Sequence, residues 1–537
     1  MTPMDAPLVI GYDVGTTGAK TCLFRLGERL ELLGRAVREY PLHITPEGGS
    51  EQDPDDWWRA LAEGTAAVLR DCGVPPAAVR AVSFSAGMQS FVPVDASGRA
   101  LRRGMTYMDQ RGGAQCARIL RRFPAVSGIH APLLAASLPL AGGVSASVKD
   151  PVWKYLWMRE CEPELFARLA WWLDIRDYLA LRCTGRPAMT DDGAHATFLY
   201  DTRGGGRGWS GLLCRMHGVN PAHLPPVVKA AETAGALTAE AARDLGLEPG
   251  IAVVNGGGDL TMQALGAGCV EPGDTHVYIG TSGWVAAVLT RRTLDITHFM
   301  ASILGARPGH YNYIGEQETS GKCLEWVRDH IALDEIGVYL SKRPMTEDPD
   351  TRHTTLLEYL GQVVGEAPPG AGGVIFTPWL HGNRSPFEDP NARGMFFNLS
   401  LDTGKRRLIR AVVEGILYQK RWYLECMARK FPINDPLRFV GGGALSSVTA
   451  QMLADITGRT VAVVENPQNA GAAGAAACCG LALGVYPDFP AVARSVRITR
   501  THTPDPTHRA VYDRNYAVFK RLHADNRKSF ARLNGNG

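Results

Sequence analysis

Leu8-Val9-Ile10-Gly11-Tyr12, an apolar run of strand length, leads into Asp13-Val14-Gly15-Thr16-Thr17-Gly18-Ala19-Lys20. In mid-chain His276-Val277-Tyr278-Ile279 leads in the same way into Gly280-Thr281-Ser282-Gly283. Each stretch reads as a strand, a tight glycine turn and a second strand leaving it. Such a turn presents backbone N–H groups and hydroxyls to whatever lies above it, and a phosphate is the natural occupant. Two such loops imply a duplicated nucleotide-binding α/β fold that holds a triphosphate between its copies.

The 537 residues provide for two or three domains with a substantial core. With 57 Lys and Arg against 54 Asp and Glu, the charge argues for neither nucleic acid nor membrane as a partner. The 11 cysteines show no Cys-x-x-Cys spacing, so zinc and thioredoxin-like readings fail. His217 and His223 have no third ligand nearby in sequence. The N-terminus lacks a targeting pattern, and the apolar stretch 470–485 is too short to span a bilayer. A cytoplasmic protein is expected.

Outward from the first loop, three strands (Leu8 to Tyr12, Thr21 to Leu26, Glu31 to Tyr40) precede an amphipathic helix from Pro54 to Leu69 with Asp53 as N-cap. The buried strand Val79 to Phe84 enters the turn Ser85-Ala86-Gly87-Met88-Gln89. Strands followed by helix–strand alternation mark an α/β unit. Thr202 to Gly208 reads as a flexible surface loop. A second unit is expected to begin after Pro249-Gly250, with Ile251 to Val254 as its first strand, dividing the chain into 1–248 and 249–537. Later come the strand Leu437 to Val440 feeding Gly441-Gly442-Gly443-Ala444, a helix through Ile456, the strand Thr460 to Val464 and the helix Gln468 to Gly480.

Asp13 ends a strand beside a phosphate-type loop. It is either a turn residue or a carboxylate that holds Mg²⁺ through water, as phosphate-bound Mg²⁺ requires. Lys20 either reaches a phosphate or is a surface lysine. Asp259 follows Gly256-Gly257-Gly258 at a strand end. The glycines leave room for a substrate, and a carboxylate there can accept a hydroxyl proton as the oxygen attacks phosphorus; a structural turn aspartate is the alternative. Met88-Gln89 and Tyr107-Met108-Asp109-Gln110-Arg111 offer the amide, carboxylate and guanidinium groups that a polyhydroxylated ligand needs. Trp153, Trp157, Trp171 and Trp172 serve either as core aromatics or as stacking platforms. The Gly441 loop lacks the third glycine of a dinucleotide fingerprint.

Over nearly its whole length the chain resembles the FGGY carbohydrate kinases. Asp13-Val14-Gly15-Thr16-Thr17 and Gly280-Thr281-Ser282-Gly283 resemble the family's two phosphate motifs. Lys154-Tyr155-Leu156-Trp157-Met158-Arg159-Glu160 resembles its first diagnostic pattern. Gly394-Met395-Phe396-Phe397-Asn398-Leu399, with Glu414 downstream, resembles the second, with Asn398 where glycine is usual. Asn255-Gly256-Gly257-Gly258-Asp259 resembles the stretch bearing the catalytic base, and Gly441-Gly442-Gly443-Ala444 with Gly471-Ala472-Ala473-Gly474-Ala475 the adenosine region. The resemblance implies two actin-like, ribonuclease-H-like domains flanking a catalytic cleft, and transfer of the γ-phosphoryl group of ATP, with Mg²⁺, to a sugar or polyol. It implies Asp259 as base, Asp13 toward the metal, and Gly15, Thr16, Thr17, Gly280, Thr281, Gly321, Gly442, Gly443 and Ala444 toward ATP. Met88, Gln89, Asp109 and Asp259 are implied as sugar contacts.

Ser85 to Gln89, Asp109-Gln110-Arg111 and Glu316-Gln317-Glu318-Thr319-Ser320-Gly321 are most similar to the xylulokinase branch, which implies phosphorylation of D-xylulose to its 5-phosphate. Three positions depart from that branch: Gln89 stands for histidine, Leu260 for asparagine, and Tyr107-Met108 for Trp-Asn. All lie at the expected sugar site. Ribulose, a hexulose, gluconate or erythritol therefore stay open as acceptors, as does a non-catalytic actin-like sensor. The partners expected are sugar and ATP; oligomeric state is open, with a homodimer as one option.

Overall fold

Leu8–Val14 lies between an antiparallel and a parallel neighbour. It pairs antiparallel with Gly18–Leu26, in register from Leu8↔Arg25 to Val14↔Ala19, and parallel with Val79–Ala86. Leu30–Glu39 adds antiparallel to Gly18–Leu26. On the other side Ala252–Gly258 adds parallel to Val79–Ala86, and Thr233–Ala236 closes the edge antiparallel. This computed structural model describes residues 6–331, 361 and 363–535.

The second sheet repeats the plan. Thr275–Ile279 pairs antiparallel with Gly283–Leu289, which pairs antiparallel with Tyr311–Gln317. On its other side Leu437–Val440 and Val461–Val464 follow in parallel, and Ile498–His502 closes the edge antiparallel. Met300–Leu304 and Leu294–Asp295 extend the opposite edge. Three antiparallel strands, two parallel strands and an antiparallel edge occur twice, which is the duplicated actin-like α/β architecture.

One element changes place. Ala252–Gly258, expected to open the second half, is hydrogen-bonded into the first sheet, and the second sheet begins only at Thr275. An expected division between 248 and 249 separates this strand from its ladder partners. Local sequence marks a strand but not which sheet edge receives it.

Alternation along Leu8–Val14 sends Ile10, Tyr12 and Val14 to one face and Val9 to the other. The first face packs on Pro54–Cys72, whose N-cap Asp53 accepts from Asp55 N, and on Ile175–Thr184, opened by an Asp174/Asp177 capping box. Val9, Cys22 and Phe24 on the opposite face meet Asp259–Gly266 and the small-residue helix Ala470–Ala482. That helix lies in sequence between Val461–Val464 and Ile498–His502 of the second sheet, yet it packs on the first sheet. Cys478 and Cys479 are fully buried in it. Lys405–Ala428, Ser447–Thr457 and Arg509–Asn534 cover the second sheet.

Between Val94 and Thr233 the chain forms an extension with its own core, in which Trp153 and Trp172 are fully buried; these rings are packing. The extension grips the edge of the second sheet. The Arg292 guanidinium donates to the carbonyls of Pro139 (2.7 Å) and Leu140 (2.9 Å) at the end of helix Ala131–Ala141. Thr202 to Gly208 is part of this joint, not a free loop: Gly205 N donates to the Tyr311 hydroxyl (3.1 Å), which donates to Thr202 O (2.9 Å). His195 completes it, bonded through Nε2 to Ala141 O (3.0 Å) and accepting at Nδ1 from Leu304 N (3.0 Å). Burial holds this imidazole down to about 4, which keeps Nδ1 free to accept.

Candidate active site

A cleft of about 630 Å³ lies between the two sheets. Both glycine loops reach it. The first turn is closed by Gly15 N to Gly18 O (2.9 Å). The Tyr40 hydroxyl donates to Gly15 O (2.6 Å) and Gln52 Nε2 to Thr16 O (2.6 Å). With these carbonyls engaged, Thr16 and Thr17 line the cleft. In the second loop Gly321 N donates to Gly280 O (2.7 Å) and Lys322 N to Thr281 O (3.1 Å). These bonds seat the N-terminus of helix Gly321–His330 against the loop. Gly441, Gly442 and Gly443 line a further wall with Gln468.

Asp259 begins helix Asp259–Gly266 on the cleft floor, where Oδ1 accepts from Leu260 N (2.8 Å). Desolvation by the surrounding protein lifts its carboxyl to about 7, and the nearby carboxylates of Asp13, Glu316 and Asp174 push the same way. Asp13 stands at the end of its strand, with Oδ1 accepting from Ser85 Oγ (2.8 Å) and Oδ2 3.6 Å from Lys20 Nζ. Lys20 also donates to Gln468 O (2.9 Å), which ties the first strand pair to the start of helix Ala470–Ala482. Two carboxylates thus share a cleft with two phosphate-type loops, one from each copy of the fold.

Comparison with known proteins agrees with this geometry. The family model for the N-terminal domain of the FGGY family of carbohydrate kinases matches residues 8–266, and that for the C-terminal domain matches residues 276–483. The chain belongs to the FGGY family of carbohydrate kinases. It is 29% identical over 464 residues to a xylulose kinase of Bacillus subtilis (86% of this chain, 85% of the relative). It is 26% identical over 499 residues to a gluconokinase of the same organism (92% and 91%). The crystal structure of a xylulose kinase from Rhodospirillum rubrum superposes with a TM-score of 0.80 at 26% identity, covering 97% of this chain and 99% of the other.

In this FGGY kinase Met88 and Gln89 line the cleft. A Cβ on Gly258 would collide with the Met88 side chain, so the glycine before Asp259 is what lets Met88 lie over the strand end. Leu260 packs with Trp284 and Ala286 of the second sheet, and Tyr107 lines the cleft. Asp109 does not join these groups. It is fully buried, with Oδ2 accepting from Ser50 N (2.9 Å) and from Arg111 (2.6 Å), and Oδ1 accepting from Arg111 N (3.1 Å). This expected sugar contact instead braces its own turn. Ala444 is likewise buried behind the glycines, its carbonyl accepting from Arg500 (2.7 Å).

Several lining residues went unread in the sequence. Arg384 faces the cleft paired with Glu316 (2.9 Å), and the acidic groups around it hold its guanidinium above the usual arginine range. Lys149 of the first half meets Glu318 of the second (3.4 Å). Gln89, Phe198 and Phe299 are non-glycine residues with φ of 65°, 62° and 51°, and all three line the cleft. Bulky residues in the left-handed region are strained and concentrate at functional sites. A positive φ leaves no mark in sequence when the residue is not glycine.

The residues fit a Mg²⁺–nucleotide pair. Among the described residues no group of three or more His, Cys, Asp or Glu is placed to hold a metal ion. Asp13 alone at the first loop suits an ion that keeps waters and takes most of its remaining oxygens from phosphate. No described helix is long and apolar enough to cross a membrane.

Proposed function

We propose that this carbohydrate kinase transfers the γ-phosphoryl group of ATP to a hydroxyl of a ketopentose, with D-xylulose as the first candidate. The observation that carries the reading is the placement of Asp259 in the cleft that both glycine loops line, where burial raises its carboxyl to about 7. A general base works best with a pKa near the working pH. Asp259 accepts the proton of the attacking hydroxyl. Gly15 to Thr17, Gly280 and Thr281 cradle the phosphates, and Gly321, Gly442 and Gly443 line the nucleotide wall. Asp13 would hold Mg²⁺, which when bound offsets the charge of the phosphates. Met88 and Gln89 border the acceptor. The joint formed by His195, Arg292 and Tyr311 ties the first half's extension to the second sheet, and His195 itself lines the cleft.

Relatives named xylulose kinase support the ketose, and relatives named gluconokinase raise an aldonate as the second reading. Charge favours the neutral acceptor. Four carboxylates (Asp13, Asp259, Glu316 and Glu325) and three cations (Lys20, Arg35 and Arg384) line the cleft, with Lys20 engaged by Asp13 and Arg384 by Glu316. An acid sugar brings a further negative charge to this setting. All 11 cysteines are free, which suits a reducing compartment such as the cytoplasm.

The test is ATP consumption against D-xylulose, D- and L-ribulose, hexuloses, D-gluconate and erythritol, with mass detection of the product. We expect the highest kcat/KM with D-xylulose. A higher value with gluconate overturns the choice of a neutral ketose, and turnover of ATP with no phosphorylated acceptor favours a sensor.

A further inference from the structure

The diagnostic stretch beginning at Lys154 contributes no residue to the cleft lining, yet it carries a fully buried ammonium. Lys154 Nζ donates to Gln89 O at 2.6 Å. Gln89 is the strained residue of the acceptor-side turn, with φ of 65°. The following residue is held as well, Ser90 N donating to Asp174 Oδ1 (3.2 Å), and the preceding one, Met88, lies over Gly258. The Gln89 amide makes a long contact (3.5 Å) with Asp150 Oδ1, and Asp150 is the N-cap of the helix that carries Lys154.

We propose that Lys154 is a positioning residue for the acceptor: its ammonium holds the Gln89 carbonyl so that the turn keeps its left-handed geometry and presents Met88 and Gln89 to the cleft. The inference rests on the reading of this turn as the acceptor wall. A buried ammonium is a poor device for stability, since apolar replacements of buried charges are often neutral or stabilising. Its value here lies in direction. One short bond fixes a carbonyl that an unrestrained glutamine turn would rotate away. The charge is balanced by the carboxylates of Asp109, Asp174 and Asp150, with Lys149 opposing, and burial brings the ammonium down to about 8.

The experiment compares wild type, Lys154→Met, Gln89→Gly and the double variant in steady-state assays with D-xylulose and ATP, together with crystal structures of wild type and Lys154→Met. We expect Lys154→Met to raise the D-xylulose KM tenfold or more while the ATP KM stays within twofold, and to release Gln89 from positive φ. Glycine needs no clamp to hold a positive φ, so in the Gln89→Gly background the same substitution should change KM less than threefold. Should the methionine variant not fold, Lys154→Gln, whose amide can still hydrogen-bond within the core but ends one bond short of the Gln89 carbonyl, replaces it in the same cycle with the same expectations. Equal rises in both KM values, additive effects in the double variant, or an unchanged Gln89 φ overturns the proposal. If wild type phosphorylates another acceptor in place of D-xylulose, the choice of sugar fails. The clamp is then judged by the Gln89 φ and by the KM of that acceptor.

Discussion

Gly471 faces the carboxylate of Asp13 so closely that a Cβ on it would stand 2.8 Å from Asp13 Oδ1 and 2.9 Å from Ser85 Oγ. The two residues come from opposite ends of the chain, Asp13 from the first strand and Gly471 from a helix that crosses back from the second half. Glycine to alanine inside a helix ordinarily stabilises by about 1 kcal/mol. Here the added methyl meets the movable ends of two side chains, so Gly471→Ala should fold and displace Asp13. We expect turnover to fall at least tenfold, with a higher Mg²⁺ concentration needed for half-maximal rate. Steady-state rates over a Mg²⁺ titration check this. Gly474→Ala differs in kind, because its methyl would collide with the backbone carbonyl of Met262, and expression of folded protein should drop.

The pH profile follows from Asp259. Its carboxyl titrates at about 7 in the free protein, and only the carboxylate accepts a proton. The kcat/KM for the acceptor should therefore rise with pH along an acid limb centred near 7. A limb near 4, the value of an ordinary carboxylate, would remove desolvation from the account of this residue.

Asp259→Asn should cost about 10²–10⁴ in turnover and also change stability, with a sign that depends on pH. Folding raises this pKa, so the folded state holds the proton more tightly than the unfolded chain. That stabilising contribution is complete below the unfolded value near 4 and is lost as pH climbs through about 7. At pH 8 wild type carries a desolvated carboxylate that the asparagine variant lacks. The variant should be the more stable by on the order of 1–2 kcal/mol at pH 8, and the difference should vanish by pH 4. Thermal melts across that range decide it.

Gln89 and Asp109 should separate cleanly. Gln89→Ala should raise the acceptor KM several-fold more than the ATP KM and leave the melting temperature nearly unchanged. Asp109→Ala leaves Arg111, itself mostly buried, without its main partner. Breaking a buried pair in this way costs about 3–5 kcal/mol. Its signature should be a lowered melting temperature, with both KM values close to wild type in the protein that remains folded.

Much of the fold was legible because the evidence for it is local. Leu8 to Tyr12 is an apolar run of strand length, Asp53 caps the helix Pro54–Cys72, and the strand Leu437–Val440 falls on the expected residues. The glycine loops and Asp259 were legible for the same reason, since turn chemistry is written in adjacent residues. What escaped depends on distant partners. Ala252–Gly258 is a strand in either sheet until its ladder is seen. Asp109 looks like a ligand until Ser50 and Arg111 take its oxygens. Arg384 joins the cleft from far along the chain and pairs with Glu316, in a contact no spacing rule encodes. Asn398 shows the reverse case: it stands where the family usually has glycine, and its φ of 67° supplies the reason glycine is usual there.

The helix Ala470–Ala482 has a consequence for anyone who would take this enzyme apart. Its alanines and cysteines share one cluster with Val9, Phe24, Ala81 and Val254 of the first sheet. A gene cut between Gly266 and Thr275 therefore does not yield two self-sufficient pieces, because the N-terminal fragment loses the cover of one sheet face. Chimaeras that exchange N-terminal halves among relatives should be soluble only when residues 470–482 travel with the half they cover.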